Sequence, residues 1–198
     1  MEKYNGKYRI KSARCPVWDY CSRGAYFITI CTKNRIQFFG DISNHKMILS
    51  AAGEIVQKNW KSILNHFPYV GLDAFVVMPN HFHGIIIIKQ KPSKTFEPND
   101  AKRPEGLDAD PVEEIFKREN DFFSKISPNE GSISTIIRSF KSSCTREINL
   151  KIPELHFAWQ SRFYDIIIRD QKSHERIRQY IHNNPLNWKE DMFNKEPI

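Results

Sequence analysis

Two short motifs in this sequence combine side chains that could act together in chemistry. The first is His81-Phe82-His83, which opens a run of β-type residues ending in four isoleucines. Side chains at positions i and i+2 of a strand point to the same side, so the two imidazoles could bind one metal ion. A His-x-His pair is more often ordinary core or surface histidine, so the spacing alone does not establish a metal site.

The second motif is Tyr180-Ile181-His182-Asn183-Asn184-Pro185, near the carboxyl end. Tyr180 and Asn184 are four residues apart, so a helix would place them on one face, and a phenol and an amide oxygen could then approach one point. On periodicity alone, a packed tyrosine and an asparagine that ends the helix before proline is the simpler interpretation.

The pattern of apolar residues predicts four strands and three helices that would position these motifs. The predicted strands are residues 25–32, 72–78, 81–89 and 164–168. The predicted helices are residues 50–65, 132–149 and 173–184, each opened by a serine. The order β-α-β-β-α-β-α predicts an α+β sandwich of the ferredoxin-like or RRM-like kind. In it, helices cover one face of a mainly antiparallel sheet and the other face is free for a ligand.

The chain divides into one domain with two short extensions. Residues 1–20 are expected to form a basic amino-terminal arm, residues 21–188 the domain, and residues 189–198 a tail. Within the domain, residues 91–131 are rich in proline and acidic side chains. This stretch predicts an insertion, with a short helix near residues 112–123. A chain of 198 residues needs no second core.

The distribution of charge favours a polyanionic partner. The net charge is +7 and the isoelectric point is about 9.2. Basic residues predominate before residue 36 and after residue 131, on either side of the acidic insertion. Such an asymmetry is typical of a nucleic-acid surface, although basic residues alone often form an ordinary solvated face.

Other classes of protein are disfavoured by what the sequence lacks. No apolar run approaches the roughly 18 to 20 residues that span a membrane, and the first residues lack an apolar signal region. We therefore expect the chain to remain in the cytoplasm and to have no membrane partner. The cysteines are irregularly spaced without a C-x-x-C pair, which predicts reduced thiols rather than structural zinc: Cys15, Cys21, Cys31 and Cys144.

Taken in order, the motifs resemble those of a known family. The stretch Phe75-Val76-Val77-Met78-Pro79-Asn80-His81-Phe82-His83, followed by the Tyr180 motif, resembles the single-tyrosine HUH transposases with an IS200-like transposase domain. The closest likeness is to their REP-associated branch. Residues 24–32 and 159–165 add to the resemblance, which extends from about residue 20 to residue 188 without the insertion.

The resemblance implies a site and a reaction. His81 and His83 would bind a catalytic divalent metal, Mg²⁺ or Mn²⁺, and Tyr180 would be the nucleophile. Asn184 occupies the place of a third polar ligand that is often glutamine in related transposases. The implied reaction cleaves and rejoins hairpin-flanked single-stranded DNA through a 5′-phosphotyrosine, by a monomer or a homodimer associated with the nucleoid.

The phosphates of that DNA would be bound by basic side chains of the arm and of the predicted helices and loops. The candidates are Arg14, Arg138, Lys141, Arg146, Arg162 and Arg178. Two alternatives stay open on sequence alone. One is a non-catalytic single-stranded nucleic-acid-binding protein derived from such an enzyme, and the other is a metal-dependent nuclease that uses water and leaves Tyr180 unmodified.

Overall fold

The fold is taken from a computed structural model, which describes residues 20–89 and 131–194 together with two short strands at residues 3–4 and 7–8. Arg14, residues 91–130 of the predicted insertion, and the last four residues of the predicted tail lie outside the described residues. The short helix expected near residues 112–123 also lies outside them.

Eight strands and four α-helices lie in the described part of the chain. The strands are β1 (Lys3–Tyr4), β2 (Lys7–Tyr8), β3 (Gly24–Cys31), β4 (Gly40–Ser43), β5 (Lys46–Leu49), β6 (Val70–Met78), β7 (His81–Ile88) and β8 (Tyr164–Ile168). The helices are α1 (Ala51–Lys61), α2 (Ile63–His66), α3 (Ile133–Lys151) and α4 (Gln171–Asn183). Short 3₁₀ turns lie at Lys33–Arg35, Pro153–Leu155 and Trp188–Glu190.

A four-stranded sheet in the order β6-β7-β3-β8 forms the centre of the molecule. Each neighbouring pair in it is antiparallel. The strands β1 with β2, and β4 with β5, form separate two-stranded hairpins. The prediction of an α+β fold built on an antiparallel sheet is therefore confirmed.

The main core lies between one face of this sheet and the helices α1 and α3. Alternate residues of β3 and β7 point into it because side chains alternate across a strand. The indole of Trp60 on α1 packs between the rings of Phe82 on β7 and Phe140 on α3, with ring centroids 4.4 Å and 5.2 Å away. Burial of such aromatic and aliphatic surface, at about 25 cal/mol per Å², supplies most of the stabilisation of this layer.

The opposite face of the sheet is not left free, in contrast to the sequence-based expectation. Helix α4 lies on that face, where Ile181 joins Phe27 and Ile85 in a second, smaller apolar cluster. The amphipathic pattern of this helix predicted that it has a buried side, but that pattern could not tell which face of the sheet it covers.

Three local features differ from the sequence-based prediction. Helix α4 begins at Gln171 rather than after Ser173, because the Asp170 carboxylate caps it by accepting from the Ser173 backbone N–H at 2.8 Å. The helix expected over residues 50–65 is divided into α1 and α2 at Ser62. The β4–β5 hairpin was missed, since its turn residues Asn44 and His45 supply left-handed φ values, 48° and 60°, without the usual glycine.

The helices α1 and α3 are also joined by a polar network at their exposed edge. The Glu147 carboxylate on α3 accepts hydrogen bonds from Lys58 at 2.7 Å, Lys151 at 2.9 Å and Asn59 at 2.8 Å. The bonds from Lys58, then Lys151 and Asn59, lower the pKa of Glu147 to about 2 against the opposing effect of burial.

We predict that Glu147→Gln lowers the free energy of unfolding by about 1 kcal/mol at pH 7, a modest value because exposed ion pairs are screened by solvent. Both lysines are more than half exposed. Because the pKa is lowered on folding, the contribution is present above about pH 4.5 and is lost as the pH falls toward 2.

Urea unfolding at pH 7 and pH 3 measures this effect. The difference in the free energy of unfolding between the wild type and Glu147→Gln should be smaller at pH 3 than at pH 7. Glu54→Gln, which changes an exposed carboxylate in the first turn of α1, is the matched control. An equal loss of stability in the two variants would contradict the role of the network.

Candidate functional site

The two predicted histidines lie side by side on β7, on the sheet face that α4 covers. His81 and His83 are both buried, with ring centroids 4.6 Å apart and planes inclined at 69°. They share a face because they are two residues apart in the strand, as the sequence predicted. The sheet around them is rigid, since β7 pairs along its length with β3 and β6.

Each imidazole is oriented through its Nδ1 atom by a neighbouring polar side chain. His83 Nδ1 lies 2.8 Å from the hydroxyl of Thr29, the residue opposite it on β3. His81 Nδ1 lies 2.9 Å from Asn80 Oδ1. The Asn80 amide donates through Nδ2 to the carbonyls of Arg35 and Phe193, at 3.1 Å and 2.8 Å.

These bonds determine which nitrogen of His81 faces the site. Because Asn80 Nδ2 is occupied by two carbonyl acceptors, Asn80 Oδ1 must accept from His81 Nδ1–H. His81 Nε2 is therefore an acceptor, and it is buried without a hydrogen-bond partner among the described residues. A His whose second nitrogen is held in this way is the usual arrangement for a metal ligand.

Helix α4 brings Tyr180 and Asn184 to the same place. The Tyr180 hydroxyl lies 3.3 Å from His83 Nε2, and it donates to that atom when His83 carries its proton on Nδ1. The Phe27 ring stacks on His83 at 5.2 Å and meets the Tyr180 ring edge-on at 6.0 Å. Asn184 is buried, and its Oδ1 has no hydrogen-bond partner within residues 20–89 and 131–194.

Burial determines the protonation of these groups. Desolvation lowers the pKa of His83 to about 3, so its imidazole is neutral at physiological pH. Desolvation, followed by the charge of His83, lowers the pKa of His81 well below its usual value, although the Asn184 side chain opposes this. Desolvation and then Asp191 raise the pKa of Tyr180, and Asn184 again opposes the shift. The site therefore holds two neutral imidazoles beside a protonated phenol.

This donor set fits a divalent cation. The neutral imidazole is the form that binds metals, and the buried acceptors His81 Nε2 and Asn184 Oδ1 lack partners in the described part of the chain. No group of three His, Cys, Asp or Glu side chains among the described residues could hold a metal, so the third donor would be the Asn184 amide. Imidazole donors favour Mn²⁺ over Mg²⁺ by ligand type.

The chain's own carboxyl-terminal segment packs against the imidazoles. The Phe193 ring lies 4.7 Å from His81 and 5.8 Å from His83, measured between centroids, and Trp188 lies 6.0 Å from His81. Arg35 bonds to the Met192 carbonyl at 3.1 Å and lies over the Phe193 ring at 5.6 Å.

A groove of about 420 Å³ runs from Tyr180 between α4 and the edge strand β8. Its floor is apolar, formed largely by Ile166, Ile168 and Ile177. The exposed residues Arg169 and Arg176 contribute positive charge to its lining, and Asp170 contributes a negative charge.

The predicted phosphate-binding residues do not gather around the site. Arg138 and Arg146 are exposed on α3, which packs on the sheet face opposite the histidines. Lys141 Nζ donates to the carbonyls of Gln160 and Ser161, at 2.6 Å and 3.1 Å, and burial lowers its pKa.

The other two described candidates also have partners. Arg178 Nε lies 3.5 Å from Asp73 Oδ1, and Arg162 has an interaction within the chain. Their binding to DNA stays a prediction.

Within the described residues, no helix is both long enough and apolar enough to cross a membrane.

Comparison with known proteins identifies relatives along nearly the whole chain. A family model described as "Transposase IS200 like" matches residues 122–184, which include α3, β8 and α4 with Tyr180 and Asn184. A protein from Haemophilus influenzae, described as uncharacterized, is 38% identical over 194 residues, covering 96% of each chain.

Two solved structures are distant likenesses. A REP-associated tyrosine transposase bound to a REP hairpin is 21% identical with a TM-score of 0.49, covering 95% of this chain and 74% of that one. A candidate transposase from Deinococcus radiodurans R1 is 16% identical with a TM-score of 0.41, covering 88% and 97%.

The family that the chain matches over residues 122–184 is therefore that of the IS200-like transposases. The family match contains the tyrosine helix, whereas the paired histidines lie outside the matched residues and are joined to that helix only by the fold. Sequence reasoning missed the orienting residues Thr29 and Asn80. The position of Asn80 directly before His81 was a usable signal, but the Thr29 contact depends on strand register.

We predict that Thr29→Val weakens Mn²⁺ binding about 10- to 100-fold, because loss of an orienting second partner typically costs this much affinity. His83→Ala should reduce binding further. Titration calorimetry of the purified chain measures both. His182→Ala, which alters an exposed histidine next to Ile181 on α4, should leave the affinity unchanged. Equal affinities in wild type, His83→Ala and His182→Ala would contradict a metal site at this pair.

Proposed function

We propose that this chain is a divalent-metal-dependent DNA transposase that cleaves and rejoins hairpin-flanked single-stranded DNA through a 5′-phosphotyrosine at Tyr180. The observation that carries the proposal is the 3.3 Å separation between the Tyr180 hydroxyl and His83 Nε2, in a site with two further unpartnered acceptors among the described residues. The match of residues 122–184 to the IS200-like transposase family supports the same reaction class. The motif resemblance to the REP-associated branch favours a hairpin substrate.

His81, His83 and Asn184 would hold the ion. When bound, a divalent cation withdraws charge from the non-bridging oxygens of the scissile phosphate and helps to orient it. The chain's own residues keep the donors neutral and in place. Burial favours the neutral form of each imidazole, and Thr29 and Asn80 fix the orientation of the rings. Such preorganisation avoids reorganisation at the moment of reaction.

Tyr180 would form the covalent bond. Its phenolic oxygen attacks the phosphorus, the bond from phosphorus to the 3′ oxygen breaks, and the departing strand takes a proton to become a 3′-hydroxyl. The phenol must lose its own proton, which burial and Asp191 disfavour by raising its pKa. The product is still a phosphate ester, so a second 3′-hydroxyl can displace Tyr180 without ATP.

The DNA would reach Tyr180 as a single strand along the groove between α4 and β8. The apolar floor suits unpaired bases, and Arg169 and Arg176 suit the phosphates. Contacts of this type make affinity depend strongly on salt.

One observation favours a second candidate, a single-stranded nucleic-acid-binding protein without catalysis. Phe193 packs against both imidazoles, so the described carboxyl-terminal residues occupy part of the space that a phosphate would need. In this candidate the chain would bind hairpin DNA through its basic surface without forming a covalent product.

We predict that incubation with end-labelled hairpin DNA and Mn²⁺ gives a labelled adduct that survives denaturing electrophoresis. Tyr180→Phe should abolish the adduct, because the nucleophilic oxygen is removed. Tyr164→Phe is the matched control: it changes an exposed tyrosine on the neighbouring strand β8 and should leave the adduct intact.

The outcomes separate the candidates. An adduct that persists in Tyr180→Phe, or that forms equally in excess chelator, would contradict the proposal. Salt-sensitive binding without an adduct or cleavage of any hairpin would favour the non-catalytic protein. Cleavage that persists in Tyr180→Phe would indicate a water-dependent nuclease. Hairpins formed by inverted repeats beside the chain's own reading frame are the first substrates to use.

A further inference from the structure

Helix α4 is tied to the sheet edge by a polar contact two turns before Tyr180. His174 Nε2 donates to Asp73 Oδ2 at 2.7 Å, and Arg178 Nε lies 3.5 Å from Asp73 Oδ1. His174 and Arg178 are one helical turn apart, so a single carboxylate engages the same face of α4 at two points. All three side chains are partly exposed, at 21%, 44% and 23% for His174, Arg178 and Asp73.

Asp73 lies in an irregularity of β6. Leu72 pairs with Ile86 and Phe75 pairs with Gly84, so Asp73 and Ala74 together lie opposite the single residue Ile85. Leu72 and Phe75 both pack against the main core, while Ala74 packs in the smaller cluster beneath α4. Because Asp73 follows Leu72, regular alternation places it on the α4 side, and the bulge adds Ala74 to that same side.

The apolar attachment of α4 is small. Within α4, all of whose residues are described, Ile181 is the one buried residue, and Ile177 adds partial burial. Ile177 is the middle residue of α4, and Ile181 lies near its end. Asp73 contacts α4 at His174, about 9 Å along the helix axis from Tyr180, and at Arg178, about 3 Å from it. The carboxylate therefore extends the attachment of α4 from its apolar contacts toward the start of the helix.

We infer that Asp73 is a positioning residue, which fixes the angle of α4 on the sheet and thereby places the Tyr180 hydroxyl against the imidazole pair. This inference rests on the proposed function, since it assigns Asp73 a part in the reaction of Tyr180. A displacement of about 1 Å between reacting groups can cost roughly 100-fold in rate. A small rotation of α4 about Ile181 would produce such a displacement.

The test uses four variants of the full chain. Asp73→Ala removes both contacts, His174→Leu removes the shorter one, and His174→Gln keeps a donor of similar reach. Glu175→Gln is the matched control, because Glu175 lies on the same helix, contacts Arg178 at 3.8 Å and has no bond to Asp73 among the described contacts. Folding should survive in all four, since the groups left unpaired stay within reach of water.

We expect the single-turnover rate of adduct formation to fall about 100-fold in Asp73→Ala and His174→Leu, with hairpin affinity and thermal stability little changed. His174→Gln should restore most of the rate, and Glu175→Gln should match the wild type. A purely stabilising contact would instead lower the melting temperature and would leave the rate of the folded fraction unchanged.

Hydrogen exchange of the α4 amides provides a readout that does not need activity. Protection of residues 171–178 should fall in Asp73→Ala and His174→Leu, while protection of α3 stays as in the wild type. The inference would be overturned if both variants kept the α4 protection of the wild type. It would also be overturned if the wild type were active and both variants formed the adduct at the wild-type rate. An inactive wild type with reduced α4 protection in both variants would support the contact and refute the proposed function separately.

Discussion

The candidate site depends on two buried imidazoles, His81 and His83, that stay neutral and lie side by side on one face of the sheet. Burial is the largest cause of their low pKa values, but it also leaves four ring nitrogens to be satisfied. The Nδ1 atoms are satisfied by Asn80 and Thr29. The remaining Nε2 atoms point toward α4, where His81 Nε2 meets no hydrogen-bond partner in the described chain and His83 Nε2 meets the phenol of Tyr180. An unpaired buried acceptor costs stability unless a ligand binds it, which is the physical reason to expect a cation.

The helices on the two faces of the sheet are attached to it to different extents. On one face, α1 and α3 bury a continuous core around Trp60 and lock together through Glu147. On the other, α4 rests on a small apolar cluster and the Asp73 contact. The proposed strand transfer would need a rigid metal platform and a nucleophile that can accept and release long DNA strands. A lightly attached helix on a rigid sheet would meet both requirements, since mobile functional elements are commonly the least stable ones.

Much of the site could be predicted from local spacing. The period of two in a strand places His81 and His83 on one face, and the period of 3.6 in a helix places Tyr180 beside Asn184. Longer-range features could not be predicted. The Thr29 contact depends on the register of β3 against β7, and the Asp73 contact depends on how α4 packs against β6. The β4–β5 hairpin was missed because its turn lacks glycine, and the position of α4 follows from tertiary packing that amphipathicity leaves undetermined.

The ion proposed to bind the paired imidazoles would lie beside the Tyr180 ring. Paramagnetic broadening tests this position directly, with tyrosine-labelled protein titrated with Mn²⁺ and with Mg²⁺ as the diamagnetic reference. One equivalent of Mn²⁺ should selectively broaden the Tyr180 ring signals beyond detection, and His81→Ala with His83→Ala should abolish the effect. Tyr180 signals that stay sharp while Mn²⁺ is demonstrably bound would contradict it.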